Sequence, residues 1–463
     1  MATRSTASSG TDPQDPGEAG EPADTAHAPT GSEGGADEPV HDADRRAFFF
    51  QFGKQAVSAV GQVAGMADIV GRTSSALAGE MLGLDEQKTA QERPGFDRSG
   101  VSTDPVVSAA APAAEDTFRS AYRLSDEGLV ILDQRRLPEA LDEVVARRGS
   151  DVAYYLRLGV ARGGPLMAQL AAYGLALTAA ERAQQTAESR HVELRRTGGA
   201  LVEARPSSRL LSWAVARVRR LSGRFDESTP GADVAAALRA EADLIAGEIT
   251  AWEAAMATAL VETLAQPEGR PLALLLHGDH GPLIAGQFGA GLTALSRLRE
   301  AGRDLRVFVT EGRPFMDGAR LAAWELRQAG IDHRIIPDTA AAWLFERESI
   351  DVVLIRAESV AANGDSGALV GARALAQLAA CVPAERPRVA LLGPGAAMDP
   401  DLPDGRAIPT ELRPARELST YLAEVPVRAS DALVPAADVV PAELIDLRVT
   451  EAGAEWRRER PDG

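Results

Sequence analysis

Asp351-Val-Val-Leu-Ile-Arg-Ala-Glu358-Ser-Val-Ala-Ala-Asn363-Gly364-Asp365 is the stretch on which the fold turns. An apolar run of strand length ends in a carboxylate, and a small-residue turn carrying Asn, Gly and Asp follows. In open α/β sheets, ligands bind where loops leave the carboxyl ends of parallel strands. The stretch therefore reads as a strand that delivers Glu358 to a site. Outward from it the same rhythm repeats. Short apolar strands are expected at 272–276, 305–309, 333–336, 352–355 and 389–392, with amphipathic segments such as 318–329 between them. Strands alternating with helices predict a parallel sheet covered on both faces. Residues 269–455 are thus assigned to a Rossmann-like α/β domain, and 456–463 to a tail.

Upstream the periodicity is helical. Segments 152–158, 166–187, 207–221 and 234–264 read as helices, and 129–132 as a short strand before a turn. Together they predict a helical N-terminal domain with a small β element over 116–268. The first 44 residues are rich in Gly, Pro, Ala, Asp and Glu and lack Phe, Trp and Tyr. Such a segment cannot offset its ordering entropy, so an acidic disordered tail is expected. Over 45–84, Phe49, Phe52, Ala56, Val60, Val63, Ala67, Val70, Leu77 and Met81 recur mostly at three- and four-residue steps. They predict an amphipathic helix that needs a surface, its own body or a protein partner. Arg45-Arg46 before an apolar run superficially resembles an export signal, but Gly, Gln and Asp68 interrupt that run and no clear cleavage site follows. Residues 85–115 read as a linker.

Composition narrows the function classes. The net charge of the 463 residues is −18, which disfavours nucleic acid and anionic lipid as general partners. No apolar run reaches the length of a membrane span, and a cytoplasmic protein is expected. The single cysteine, Cys381, excludes an intrachain disulfide and a multi-cysteine zinc site. Its apolar surroundings predict a buried structural thiol.

Two arginines stand out. Arg162 precedes Gly163, Gly164 and Pro165 at a helix start, and Arg205 precedes Pro206-Ser207-Ser208 at another. Small residues let backbone N–H groups approach an anion, a helix N-terminus adds positive potential, and a guanidinium can hold a phosphate through two bonds. Either arginine alone reads as a surface ion pair or a cap. The two together favour an anionic ligand.

These loops carry a resemblance. Ala161-Arg-Gly-Gly-Pro165 with the helix after it, Ala204-Arg-Pro-Ser-Ser208 with Trp213, Glu311-Gly-Arg-Pro314, Gly318-Ala-Arg-Leu-Ala-Ala-Trp-Glu-Leu326 and the 358–365 loop occur in order. Over roughly 117–455 the chain resembles the 5-methylthioribose-1-phosphate isomerases, whose wider family includes ribose-1,5-bisphosphate isomerases and the regulatory subunits of initiation factor 2B. The resemblance implies a phosphorylated sugar or nucleotide as ligand, a ribose 1-phosphate derivative of methionine salvage above all. It also implies pairing into a homodimer through the α/β domain. It implies substrate contacts at Arg162, Gly163, Arg205, Asp317, Asn363 and Gly364. No cofactor and no metal is expected.

The same comparison exposes departures. Leu276-His-Gly-Asp-His-Gly281 aligns with Thr-His-Cys-Asn-Ala-Gly, so Gly278 stands at the catalytic cysteine. Glu358 stands at the catalytic aspartate, Asp317 at a glutamine and Leu369 at a phosphate-contacting lysine. The expected function is therefore sugar-phosphate binding with the isomerase chemistry lost or altered. The alternative is an active aldose–ketose isomerase that uses Glu358 and Asp279 as acid and base. His277, Asp279, His280 and Glu358 could also form a metal set, a reading that no ligand spacing on one element supports.

Overall fold

A computed structural model describes residues 120–383, 385–419 and 432–457. The expected tail, amphipathic helix and linker over 1–115 lie outside the described residues, as does most of 456–463. The described residues fall within one compact unit.

The helical half opens with a three-stranded antiparallel sheet, β1 (Tyr122–Ser125), β2 (Gly128–Leu132) and β3 (Glu143–Ala146). Five helices follow: α1 (Gly149–Leu158), α2 (Gly164–Glu181), α3 (Ala187–Ala204), α4 (Arg209–Ser222) and α5 (Gly231–Thr263). The expected 166–187 helix is two helices in part. Thr186 ends the run by capping α3, its hydroxyl accepting from Ser189 N at 3.2 Å. Helix α3 was hard to foresee because Gly198-Gly199 and its arginines blur the apolar stripe. Helix α2 is buried almost along its whole length and forms the centre of this half.

The long helix α5 has the length and mean hydropathy of a membrane span. Its alanines supply that hydropathy, however, and its buried residues recur at helical spacing inside the protein. Val234, Leu238, Ala242, Ile245 and Ile249 join the core of the helical half, while Met256, Ala257 and Leu260 join the core of the α/β half. One helix thus ties the two halves together. Burial of such a leucine contributes about 1.5–3 kcal/mol.

The α/β half is a parallel sheet in the order β13-β12-β9-β7-β4-β5-β6, with β13 alone antiparallel on this path. Its strands are β4 (Leu272–Leu276), β5 (Leu305–Thr310), β6 (His333–Ile336), β7 (Val352–Ala361), β9 (Arg388–Leu392), β12 (Leu447–Thr450) and β13 (Gly453–Trp456). Helices α6 (Ala290–Glu300), α7 (Ala323–Gln328), α8 (Ala341–Arg347) and α9 (Ala372–Cys381) cover it. Along β4, Leu272, Leu274 and Leu276 face one core, and Ala273 and Leu275 face the other. That two-residue alternation is the reason the strand reads as continuously apolar.

Three readings change. Cys381 is exposed, not buried. It ends α9, whose buried face is Ala372, Leu375, Ala376 and Ala379, and a residue two positions past Ala379 points away from that face. Strand β7 runs to Ala361 instead of stopping near Ile355. Its second half pairs antiparallel with β8 (Ser366–Leu369), which pairs with β11 (Ala437–Val440), and parallel with the two-residue strand β10 (Met398–Asp399). Glu358 is therefore inside the strand and not at its end.

Candidate functional site

The chain order of the strands reverses beside β4. From β4 it steps outward to β5 and β6, then returns to place β7 on the other side. A crevice opens where neighbouring strands leave in opposite directions. The His277–Gly281 loop after β4 and the far half of β7 border it. From the other side come Arg162 and Gly163 at the start of α2, Arg205 and Ser207 before α4, and Glu411, Ala436 and Ala437 from the connection between β10 and β11. The cavity, open to solvent on one side, is about 90 Å³.

Glu358 enters this cavity because β7 bulges at it. Ala357 pairs with Ala368 and Ser359 with Gly367, which leaves Glu358 as the extra residue. Bulges re-aim a side chain. Its Oε2 would stand 3.1 Å from a Cβ on Gly164, so glycine at the first turn of α2 makes room for the carboxylate. Ser208 Oγ, buried without a partner, flanks the same point at 3.4 Å. Burial pushes the Glu358 carboxyl above its ordinary range, against the pull of Arg356, Arg162 and Arg205.

The two arginines meet as the loops suggested. A Cβ on Gly159 would stand 3.4 Å from Nη2 of Arg205 and 3.9 Å from Nη1 of Arg162. Arg162 donates from Nε to Asp317 Oδ2 at 2.9 Å and lies 3.8 Å over the Phe315 ring. Arg205 donates to Glu411 Oε1 at 2.7 Å, and its Nη2 is buried without a partner. Burial and the charge of Arg162 lower the Arg205 pKa to about 10. Gly163 is required twice over. Its φ is 95°, and a Cβ there would overlap the backbone and Cβ of Ile284.

The loop beneath is held by its own side chains. Thr310 donates to Nδ1 of His277 at 2.9 Å, and Nε2 of His277 donates to the Val370 carbonyl at 3.1 Å, the direction a carbonyl requires. Nε2 of His280 donates to the His277 carbonyl at 3.2 Å. Burial keeps both imidazoles neutral and pushes His280 down to about 3. Asp279 Oδ1 accepts from His280 N at 2.7 Å and Gly281 N at 3.1 Å. Glu325 Oε1 accepts from Leu283 N at 2.8 Å. The remaining oxygens, Asp279 Oδ2 and Glu325 Oε2, are buried with no other donor. The two carboxyls contact each other. Burial, then the Asp279 charge, pushes Glu325 well above its ordinary range, and burial raises Asp279. One proton shared between the two carboxyls would satisfy both oxygens.

Of the residues expected in the site, Arg162, Gly163, Arg205, Asp279, Asp317 and Glu358 line the cavity together. Asn363 and Gly364 do not. They form the turn at the far end of β7, where the exposed Asn363 bonds Asp365 and the buried Gly364 accepts from Arg448 through its carbonyl. Among the described residues no group of three His, Cys, Asp or Glu side chains is arranged to hold a metal ion. Two charged lining residues were missed. Arg356 lies two positions before Glu358 and is paired with the buried Glu253 of α5; its place inside an apolar run was the available signal. Glu411 sits in a proline-containing loop that offered none.

The profile of the Initiation factor 2 subunit family matches residues 160–455. The chain belongs to that family. It is 35% identical over 338 residues to the methylthioribose-1-phosphate isomerase of Pseudomonas entomophila (strain L48), covering 73% of this chain and 91% of that protein. It is 36% identical over 331 residues to that of Desulforudis audaxviator (strain MP104C), covering 71% and 92%. The crystal structure of 5-methylthioribose 1-phosphate isomerase from Pyrococcus horikoshii OT3 shares the fold with a TM-score of 0.64, at 24% identity over 73% of this chain and 93% of that one. The eIF-2B delta subunit of A. fulgidus does so with a TM-score of 0.59, at 23% identity over 73% and 96%.

Against the isomerase pattern of this family, the departures Gly278, Asp317, Glu358 and Leu369 all line the cavity. Gly278 has φ 77°, a backbone that disfavours a side chain. Leu369 fills the space above it, a would-be Cβ on Gly278 lying 3.0 Å from Cδ2. Asp317 spends one oxygen on Arg162, and its Oδ1 is buried without a partner.

Proposed function

We propose that this chain binds a ribose 1-phosphate derivative in the cavity between Arg162, Arg205 and Glu358, with the isomerase chemistry of its relatives lost or altered. One observation carries the reading: two guanidinium groups converge beside Gly159, across a small cavity from a carboxylate aimed inward by a bulge. Each guanidinium has a carboxylate partner, but Nη2 of Arg205 is buried without one, and a phosphate dianion placed between the two accepts from both while facing the N-terminus of α2. The sugar then points toward Glu358.

Aldose–ketose isomerisation moves a proton between adjacent carbons and needs groups that handle it on both the carbon and oxygen side. Glu358, raised by burial, suits one such role. Gly278 carries no group for the other. Asp279 holds its loop through two backbone N–H groups and the Glu325 pair, which leaves it poorly free to act. The raised Glu358 carboxyl is nonetheless the observation that favours the second reading, an isomerase rebuilt around this residue with Asp279.

Titration calorimetry with ribose 1-phosphate tests the first reading. Arg162→Ala and Arg205→Ala should each weaken binding roughly tenfold or more, since a charge-assisted bond contributes about 1.5–3 kcal/mol. Unchanged affinity in both would remove the phosphate from this cavity. Native turnover of 5-methylthioribose 1-phosphate that Glu358→Gln abolishes would establish the second reading. Two copies are proposed to pair through the α/β half, which light scattering of the purified chain decides.

A further inference from the structure

Glu411 presents a carboxylate to Arg205 from a connection that is only lightly buried. Its side chain is 9% exposed and that of Arg205 6%. The neighbours along the connection are not so sheltered: Leu412 is 67% exposed, Leu418 40% and Leu433 82%. The connection is held by Ala436 N to Glu411 O at 2.9 Å and Arg413 N to Val434 O at 2.7 Å. The Glu411 side chain thus reaches in from a connection anchored by Val434, with Leu412, Leu418 and Leu433 turned outward.

The Glu411 contact is incomplete. Only Oε1 is engaged, by Nη1 of Arg205 at 2.7 Å and at longer range by Nη1 of Arg413 at 3.4 Å, while Oε2 of Glu411 and Nη2 of Arg205 are both buried without partners. Two good groups therefore satisfy each other through one bond where a guanidinium and an oxyanion can make two. A second cation waits beside them. Nη1 of Arg413 lies 3.4 Å from the same Oε1, and Arg413 is itself anchored by Glu417 at 2.8 Å and by the Arg157 carbonyl at 3.2 Å. A carboxylate that turned from Arg205 toward Arg413 would stay paired throughout, avoiding the cost of a buried lone charge. The cavity also needs such a movement. Its volume of about 90 Å³ is well below the roughly 300 Å³ at which small-molecule pockets begin.

We infer that Glu411 is a built-in competitor: its carboxylate occupies the place of the ligand phosphate on Arg205 and is displaced toward Arg413 when a phosphate monoester binds. The inference rests on the phosphate reading above and adds the identity of the group that closes the empty site. A dianion bridging Arg162 and Arg205 outcompetes a monoanion that holds Arg205 through one bond, so the contact selects for doubly charged ligands over carboxylates.

Inorganic phosphate is the probe, with affinity measured by titration calorimetry on the full chain. Glu411→Gln should bind phosphate about tenfold more tightly than the native chain, and the gain should vanish in the Arg205→Ala background. Should Glu411→Gln fail to fold, Glu411→Asp, which keeps the charge but withdraws it by one methylene, should still bind more tightly than the native chain. Equal or weaker phosphate binding in the variant that folds overturns the inference. So does a gain that survives Arg205→Ala. Native binding that Arg205→Ala abolishes, with no gain in either Glu411 variant, leaves the phosphate reading standing while the competitor falls. No binding by any of these chains sinks both.

Discussion

Leu369 Cδ2 lies 3.0 Å from the point where a side chain on Gly278 would begin. The two departures from the isomerase pattern are therefore one change in shape. The leucine occupies the volume into which a cysteine would grow, and the glycine permits a left-handed turn that a cysteine would resist. Restoring one residue alone should fail. Gly278→Cys, at φ 77°, should cost about 1–3 kcal/mol of stability in urea unfolding and give no turnover of 5-methylthioribose 1-phosphate. Adding Leu369→Lys should recover part of that stability by removing the branched methyl. With Glu358→Asp as well, turnover should appear if the rest of the cavity is intact. A single Gly278→Cys variant as stable as the native chain would show that the loop adapts freely.

The pair Arg356–Glu253 joins β7 to α5 in the interior, and Glu253 also accepts from Ala290 N at 2.8 Å. Removing one partner strands a charge on a side chain that is 1% exposed. Arg356→Met should therefore cost about 3–5 kcal/mol, and Arg356→Met with Glu253→Gln should recover much of it. Chemical denaturation of the three chains measures this. A double variant no more stable than the single one would mean that the arginine acts through packing.

Gly163→Ala tests how tightly the start of α2 is fitted to the 282–285 turn. The φ of 95° and the overlap with Ile284 act together, so a loss above about 3 kcal/mol is expected. A normal thermal midpoint for this variant would contradict the fit.

The sheet was legible because β4 and the first half of β7 are apolar runs between turn signals, and β4 begins and ends where its run does. The far half of β7 was not. Ser359-Val-Ala-Ala reads as the start of a loop, and only pairing with β8 and β10 makes it strand. Asn363 and Gly364, expected from the resemblance, follow these extra strand residues and do not line the cavity. Arg162 and Arg205 were found through their small-residue loops. Glu411 was not, because nothing local marks a residue whose partner is far along the chain; only the folded connection brings it to Arg205. Glu325 stood in a recognised stretch, yet its meaning depends on Asp279 standing where the relatives carry an asparagine.

That last substitution gives a prediction with a defined direction in pH. An asparagine at 279 could donate an N–H to Glu325 with no proton required. Asp279 cannot, so the folded chain must retain a proton that the unfolded chain releases near pH 4. Glu325 is raised well above its ordinary value by burial and by Asp279, and Asp279 in turn faces the charges of Asp317 and Arg356. A group raised in the folded state contributes stability below its unfolded pKa and loses it as pH climbs toward the folded value, by up to about 1.4 kcal/mol per pH unit for one proton. His277 and His280, both held neutral, destabilise the fold below about pH 6.5 in native and variant alike, so they cancel in the difference. Asp279→Asn should keep the acceptor for His280 N and Gly281 N and supply the missing donor. Urea unfolding at pH 5, 6, 7 and 8 should then show the variant gaining on the native chain at each step and exceeding it at pH 8. A stability difference that stays flat across this range would mean that no proton is shared between Asp279 and Glu325.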